Sequence, residues 1–151
     1  NPITIELFNF KRPKDINICA ALSNKIKRAN LYYHHDLSSQ NTLSDNHVSW
    51  MKKNFGLNKL KTKTIKTNRL DKILKKFDIK HIDFLNIDIE GLELEVMSTI
   101  NLKKLNIKVI CIELLAYNQI QKKKKKKILN FLKKNKFKVV ERLRENYILT
   151  K

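Results

Sequence analysis

Two largely apolar runs in the second half of the chain, each bounded by charged residues, limit the folds open to this sequence. They cover residues 82–89 and 106–115. Each run is shorter than an ordinary helix and indicates a strand buried on both faces, which is typical of parallel sheets covered by helices. Because helical patterns lie between and after the runs, we expect an α/β fold with a mostly parallel sheet.

Hydrophobic spacing predicts the remaining elements. Segment 70–77 is apolar at positions i, i+3, i+4 and i+7, and Thr67-Asn68 precedes it as a helix cap. The predicted helices cover residues 3–11, a short piece around Trp50, and residues 70–77, 92–100 and 118–135. Further strands are predicted at residues 15–22, 29–35 and 60–67, and residues 137–143 and 147–150 predict a C-terminal antiparallel hairpin. A single domain over residues 1–151 is expected.

The formal net charge of +19 comes mainly from lysine, because only five of the 33 basic residues are arginine. Nucleic-acid binders favour arginine and interleaved aromatic residues, so nucleic-acid binding is not expected. The lysine run at 122–127 points around the whole helix instead of forming one basic face. Lys124 or Lys125 must therefore lie on the inner stripe of the helix and extend its charged end to solvent. The apolar members of that stripe are Ile120, Ile128, Leu129 and Leu132.

The sequence contains no apolar stretch of the roughly 20 residues that a membrane span needs, and no signal-peptide pattern. A cytoplasmic protein is therefore expected. Cys19 and Cys111 each lie within a short apolar run, where a reduced thiol packs as a small hydrophobic group. We predict that neither cysteine forms a disulfide or acts as a nucleophile.

Polar side chains interrupt the first apolar run near its end. Asn86, Asp88 and Glu90 alternate along the predicted strand and therefore share one side of it, and Glu113 lies near the end of the next strand. Ligands bind at the carboxyl ends of parallel strands, and buried carboxylates usually serve a ligand, a proton transfer or a helix cap. Capping is the alternative here, with Asp88 as the cap and Glu90 facing the dipole of the following helix.

This part of the chain resembles the signature of the FkbM methyltransferases, a strand close to I-D-F-L-K-I-D-V-E-G followed by a helix that ends in E-V-L. Residues 82–91 read I-D-F-L-N-I-D-I-E-G, and L-E-L-E-V-M follows. Other pieces agree in order, and the resemblance covers essentially all 151 residues. These pieces are Asn1-Pro2, R-P-K-D-I-N at 12–17, A-A-L-S at 20–23, L-D-K-I-L at 70–74 and V-I-C-I-E at 109–113.

The resemblance implies a Rossmann-like class I methyltransferase fold and methyl transfer from S-adenosylmethionine to an oxygen. The acceptor would be a small molecule or glycan, most often a hydroxyl of a sugar or secondary metabolite. Asp88 or Glu90 would act as base or orient the acceptor, with Glu113 beside them. Asn86 would border the cofactor site, and Ala21, Leu22 and Ser23 would border the adenine.

One departure from the family pattern concerns the cofactor. Methyltransferases of this fold normally open with a strand and a glycine-containing turn around the methionine part of the cofactor, followed by an acidic residue at the end of the second strand that holds the ribose. The 151 residues contain only Gly56 and Gly91, and no methionine precedes Asn1. We therefore expect a truncated gene product without the first βαβ unit, which by itself binds S-adenosylmethionine poorly. The strands ending at Leu22 and Asp88 are then expected to be splayed apart or paired differently.

Two groups of residues in the sequence contain side chains that can bind a metal ion. His34-His35-Asp36 is not expected to bind metal, because adjacent strand residues point to opposite faces. A divalent ion at Asp88, Glu90 and Glu113 is an alternative, as in some methyltransferases of this general fold, but the FkbM resemblance does not require one and no metal ligand is assigned. The aromatic residues Tyr32, Tyr33, Trp50 and Phe55 could line a substrate cleft or fill the core, and we expect them to fill the core.

Two other functions compete with the enzyme. A catalytically silent binding module could keep the sheet and lose the cofactor turn. A basic nucleic-acid-binding protein would show affinity that falls steeply with salt.

Overall fold

A computed structural model describes residues 2–38, 40–57 and 59–151, so Asn1 of the Asn1-Pro2 pair lies outside the described residues. The described elements alternate between helices and strands. In chain order they are α1 (Pro2–Lys11), β1 (Ala21–Leu22), β2 (Arg28–Tyr33), α2 (Asp45–Phe55), β3 (Lys61–Asn68), α3 (Leu70–Lys76), β4 (His81–Ile87), α4 (Glu93–Met97), β5 (Asn106–Glu113), α5 (Gln119–Lys134), β6 (Lys138–Leu143) and β7 (Asn146–Thr150). No helix in the described part of the chain is long and apolar enough to cross a membrane.

The strands form two mixed sheets, with the orders β1-β3-β2 and β4-β5-β7-β6. Among the described strands, β1 with β3 and β4 with β5 are parallel, whereas the other three pairings are antiparallel. The prediction of one mostly parallel sheet was therefore wrong, although the α/β class is confirmed. The predicted hairpin accounts for both antiparallel pairings of β7. The difference lies in β2, which is antiparallel to β3, and in the division of the strands between two sheets.

The pairing of β4, β5 and the hairpin is as predicted. β4 and β5 are parallel neighbours, with Ile82 opposite Ile107 and Ile87 opposite Ile112. β7 then joins β5, and β6 completes the edge. β1 and β4 lie in different sheets, in agreement with the expectation that the strands ending at Leu22 and Asp88 are apart.

The hydrophobic core lies on the β4-β5-β7-β6 sheet and under α5. Ile107, Ile110 and Ile112 of β5 belong to it and are at most 1% exposed; Ile110 and Ile112 share one face of the strand, whereas Ile107 lies on the other. Ile128 and Leu132 of α5 belong to the same core cluster. This core holds the ends of β4 and β5 in fixed relative positions.

β4 is less buried than its sequence suggests. Asp83, Phe84 and Asn86 are exposed, and Phe84 retains 58% of its surface. In the described part of the chain β4 pairs with β5 alone and so forms an edge of its sheet. No strand on the other side shields these residues, and the prediction of burial on both faces was wrong.

Other predictions differ at element ends, and three of these differences affect more than the exact bounds. Predicted strand 15–22 is reduced to β1, because only its last two residues find partners, at the end of β3. Helix 92–100 is limited to α4. The predicted Thr67-Asn68 cap is absent, because both residues belong to β3 and Arg69 precedes α3 without a side-chain capping bond.

The inner face of α5 is rotated from its predicted position. Ile120 is 50% exposed, and its neighbour Gln121 is buried instead. Gln121 is retained there because its side-chain amide donates to the Tyr117 hydroxyl at 3.1 Å. Lys124 and Lys125 both lie on this face, with only 20% and 18% of their side chains exposed.

The two cysteines are free thiols, as predicted. Cys111 is partly buried in β5, but Cys19 is exposed. The predicted packing of Cys19 fails because no strand forms at that position.

Candidate functional site

A tight turn follows β4 and determines where its acidic residues lie. Glu90 and Gly91 both have positive φ values, 54° and 101°, which end the strand and turn the chain toward α4. The Thr42 hydroxyl donates to the Glu90 carbonyl at 2.8 Å, and the Gly91 N–H donates to Glu93 Oε1 at 2.8 Å. A non-glycine residue in the left-handed region is uncommon, so the tertiary contacts must hold Glu90 there.

Three carboxylates meet at the ends of β4 and β5. One carboxylate oxygen from each of Asp88, Glu90 and Glu113 lies within 4.8 Å of the others. Asp88 is exposed, whereas Glu90 and Glu113 are partly buried. We call these three residues the carboxylate cluster. In the described part of the chain no other group of three potential metal ligands is this close, so His34, His35 and Asp36 do not form one.

The cluster raises the proton affinity of two of its members. Burial raises the pKa of Glu90 to about 7, and the charges of Asp88, Glu113 and Glu93 act in the same direction. Burial also raises the pKa of Glu113 to about 7, helped by the charge of Asp88. Each of these carboxyl groups is therefore partly protonated near neutral pH and can exchange a proton there.

His47 lies behind Glu90 and was missed in the sequence. Its Nε2 is 3.2 Å from Glu90 Oε2, and only 1% of its side chain is exposed. Burial lowers the pKa of the imidazole, which favours its neutral form. Neither ring nitrogen makes a hydrogen bond of good geometry within the described residues. The imidazole therefore faces the carboxylate cluster without a well-formed hydrogen bond to any described residue.

The sequence contains a local signal for His47. Ser44 caps α2 by accepting a hydrogen bond from the His47 N–H, and Met51 follows His47 by one turn on the same buried face. A capping serine and this spacing place His47 on the inner side of a helix. They do not reveal that the helix packs against the turn after β4.

Aromatic rings hold the imidazole in place. Trp50 stacks on Tyr117 with a ring separation of 4.9 Å, and the His47 ring lies 5.3 Å from Trp50. Phe55 packs edge-on against Trp50 but is 55% exposed, so the prediction that it fills the core was wrong.

A cavity of about 580 Å³ opens beside the cluster and between the two sheets. Ala21 and Leu22 of β1 line it together with Asp88 and Glu90. The structure thus brings two of the predicted adenine-bordering residues next to two of the predicted catalytic acids.

The other predicted site residues lie outside the lining of this cavity. Ser23 is buried, and its N–H donates to the Asn68 carbonyl at 2.9 Å. Asn86 is exposed on β4. Glu113 interacts with the cavity acids through Asp88. The cofactor-binding roles of Ser23 and Asn86 remain predictions.

Comparison with known families assigns the chain to one of them. The family described as the methyltransferase FkbM domain matches residues 1–139. The chain belongs to the FkbM methyltransferase family. No curated protein and no solved structure matches it. The matched residues include the turn after β4, all three residues of the carboxylate cluster, and the β1 residues that line the cavity.

The capping alternative for the acids of this FkbM chain is not supported by the geometry. α4 begins after Leu92, which makes no side-chain capping bond, and the helix is only five residues long. Glu93, not Asp88 or Glu90, bonds to a backbone N–H at this turn. Asp88 and Glu90 therefore do not cap α4.

Alanine at Gly91 should destabilise this FkbM chain more than alanine at Gly56. Gly91 has φ 101°, and a Cβ there would lie 3.1 Å from Ser44 Oγ, the cap of α2. Gly56 has φ 64° and open space around it. We expect Gly91→Ala to lower the free energy of unfolding by about 2–3 kcal/mol and Gly56→Ala by about 1 kcal/mol. Urea unfolding measures both, and equal losses would contradict the tight turn.

Proposed function

We propose that this protein is an S-adenosylmethionine-dependent O-methyltransferase acting on a hydroxyl of a sugar or a secondary metabolite. The observation that carries the proposal is the position of Asp88 and Glu90 in the lining of a cavity that also contains Ala21 and Leu22. Family membership supports methyl transfer over a silent binding module or a nucleic-acid-binding protein.

The cavity fits part of the proposed cofactor. Its volume of about 580 Å³ lies within the usual range of small-molecule sites, roughly 300–1,000 Å³. Ala21 and Leu22 offer apolar surface suited to an adenine ring, as the sequence predicts. Neither of the two glycines lines the cavity, so no residue is assigned to the methionine part.

S-adenosylmethionine supplies an electrophilic methyl group on a positively charged sulfur. The acceptor hydroxyl must lose its proton as its oxygen forms the new bond to carbon and the sulfur–carbon bond breaks. A carboxylate within hydrogen-bond reach of that hydroxyl can take the proton. Glu90 is the best placed acid for this step, because it lines the cavity and has a pKa of about 7.

The neighbours of Glu90 keep it suited to the step. The charges of Asp88 and Glu113 help to hold its pKa near neutrality. The His47 imidazole, 3.2 Å away, restricts the position of the carboxylate. Asp88 is the more exposed cavity acid and can orient the acceptor.

Methyl transfer to a panel of acceptors tests the proposal. The gene product, expressed from its complete reading frame, is incubated with S-adenosylmethionine labelled in its methyl group and with sugars, glycans and hydroxylated secondary metabolites. We expect label in the acceptor as a methyl ether that is stable to base. Transfer only to nitrogen or carbon, or no transfer to any hydroxylated acceptor, would contradict the proposal.

A further inference from the structure

Three features of the carboxylate cluster concern a ligand other than the proposed methyl acceptor. They are the spacing of its oxygens, its lack of a lysine or arginine partner within the described residues, and the buried histidine behind it. Each is independent of the family assignment.

The first feature is the convergence of oxygens. The three carboxylates offer one oxygen each within a mutual distance of 4.8 Å. Oxygens on opposite sides of one ion lie about 4.2 Å apart around Mg²⁺ and about 5 Å apart around Ca²⁺, which is twice the metal–oxygen distance. The three oxygens can therefore share a single ion with small side-chain movements.

The second feature is the charge balance. The chain has 33 basic residues and only 14 acidic ones, yet in its described part no lysine or arginine forms an ion pair with any member of the cluster. Two other acids nearby differ in this respect, because Glu95 pairs with Lys124 at 2.7 Å and Glu145 approaches Lys125 at 3.7 Å. Grouped carboxylates without a cation are costly, since each opposes the ionisation of the others.

The third feature is His47, which is 1% exposed and has no hydrogen-bond partner at either ring nitrogen within the described residues. Its Nε2 lies 3.2 Å from Glu90 Oε2, so the imidazole faces the cluster. Carboxylates that bind metal ions are commonly held by such a neighbour, which fixes the orientation of the ligand.

We propose that Asp88, Glu90 and Glu113 bind one hard divalent cation, of the class of Mg²⁺, Mn²⁺ and Ca²⁺, and that His47 positions the Glu90 ligand. Oxygen ligands and the absence of a thiolate favour these ions over softer metals. The cation lies at the wall of the cavity, because Asp88 and Glu90 line it. With the ion bound, Glu90 is ionised and its pKa no longer lies near 7. A hydroxyl bound to the ion then becomes more acidic, and this consequence alone rests on the proposed methyl transfer.

Binding of Mn²⁺ to the untagged 151-residue chain tests the proposal, with free Mn²⁺ followed by electron paramagnetic resonance. We expect one saturable site per chain, competition by Mg²⁺ or Ca²⁺, and a rise in thermal midpoint on binding. Asp88→Asn, Glu90→Gln and Glu113→Gln should each weaken Mn²⁺ binding by more than about tenfold, since even an outer partner of a metal ligand is commonly worth 10- to 100-fold.

Asp83→Asn is the matched control. Asp83 is an exposed acid on β4 that pairs with Lys108 at 2.7 Å and lies outside the cluster. Its substitution should change the affinity by less than about twofold, because charges on the exposed surface are screened. Circular dichroism verifies that each variant folds, and the wild-type titration tests the proposal without any variant.

Three results would overturn the cation site. They are the lack of saturable binding to the wild type up to about 1 mM Mn²⁺, unchanged affinity in all three cluster variants, and an equal loss in Asp83→Asn. None of them depends on turnover, so the proposed methyl transfer can succeed or fail separately.

Discussion

Asp88→Asn and Glu90→Gln should each reduce the kcat/KM of methyl transfer by about 10²- to 10⁴-fold, the usual contribution of a positioned acid or base. Both amides keep the shape of the side chain and part of its hydrogen bonding, but they lose the charge and the basicity. Asp88 is exposed, and Glu90 has no basic partner other than His47 within the described residues. The free energy of unfolding should therefore change by at most about 1 kcal/mol.

The measurement pairs turnover and unfolding on the same purified variants, with Asp83→Asn as the control on the same strand. Asp83 is fully outside the cavity lining, and the control should keep wild-type turnover. Wild-type turnover in both cluster variants would remove these acids from the mechanism. A stability loss of several kcal/mol would instead show that the cluster is a buried structural network.

The sequence correctly predicted the helices and strands that place one regular set of side chains in the hydrophobic core. β5 and α5 were recognised because strands and helices that face a core repeat apolar residues at fixed intervals. The pairing of β4 with β5 and the hairpin followed from their order and from the short turn between β6 and β7. These features depend on local pattern and chain connectivity alone.

The errors arose where a neighbour in space decides the outcome. Phe84 is a large apolar residue of the kind usually buried in a strand. It is exposed because no neighbouring strand among the described residues covers that edge of β4. Ile120 and Gln121 differ in burial because Tyr117 offers a hydrogen bond to the less apolar residue. Nothing in the order of residues specifies either contact.

The sequence predicted the acids of the candidate site but not the contacts that other elements make with them. Asp88, Glu90 and Glu113 were selected as acids at strand ends, and two parallel neighbouring strands bring such ends together. The left-handed turn at Glu90 and the approach of His47 from α2 required the three-dimensional arrangement. The sequence also does not specify the distances between the carboxylates, which decide whether the three can share one ion.

Shortening a buried side chain in the core next to this site should lower the free energy of unfolding far more than shortening an exposed side chain. Ile110, in β5, is 0% exposed and pairs with Leu85 on one side and Leu149 on the other. Ile110→Ala removes buried methyl and methylene groups and leaves a cavity that the sheet cannot close. We expect a loss of about 2–5 kcal/mol in the free energy of unfolding, a large fraction of the stability of a small domain.

Ile120→Ala is the matched control, since it makes the same substitution at a residue that is 50% exposed on α5. It should cost about 0.5 kcal/mol or less, because alanine is the better helix former and partly offsets the lost contacts. Urea titration followed by circular dichroism compares the two variants directly. Similar losses would mean that α5 presents Ile120 to the core. Gln121 would then be displaced from the buried position between Gly91 and Tyr117, and the support of the turn beside the carboxylate cluster would have to be revised.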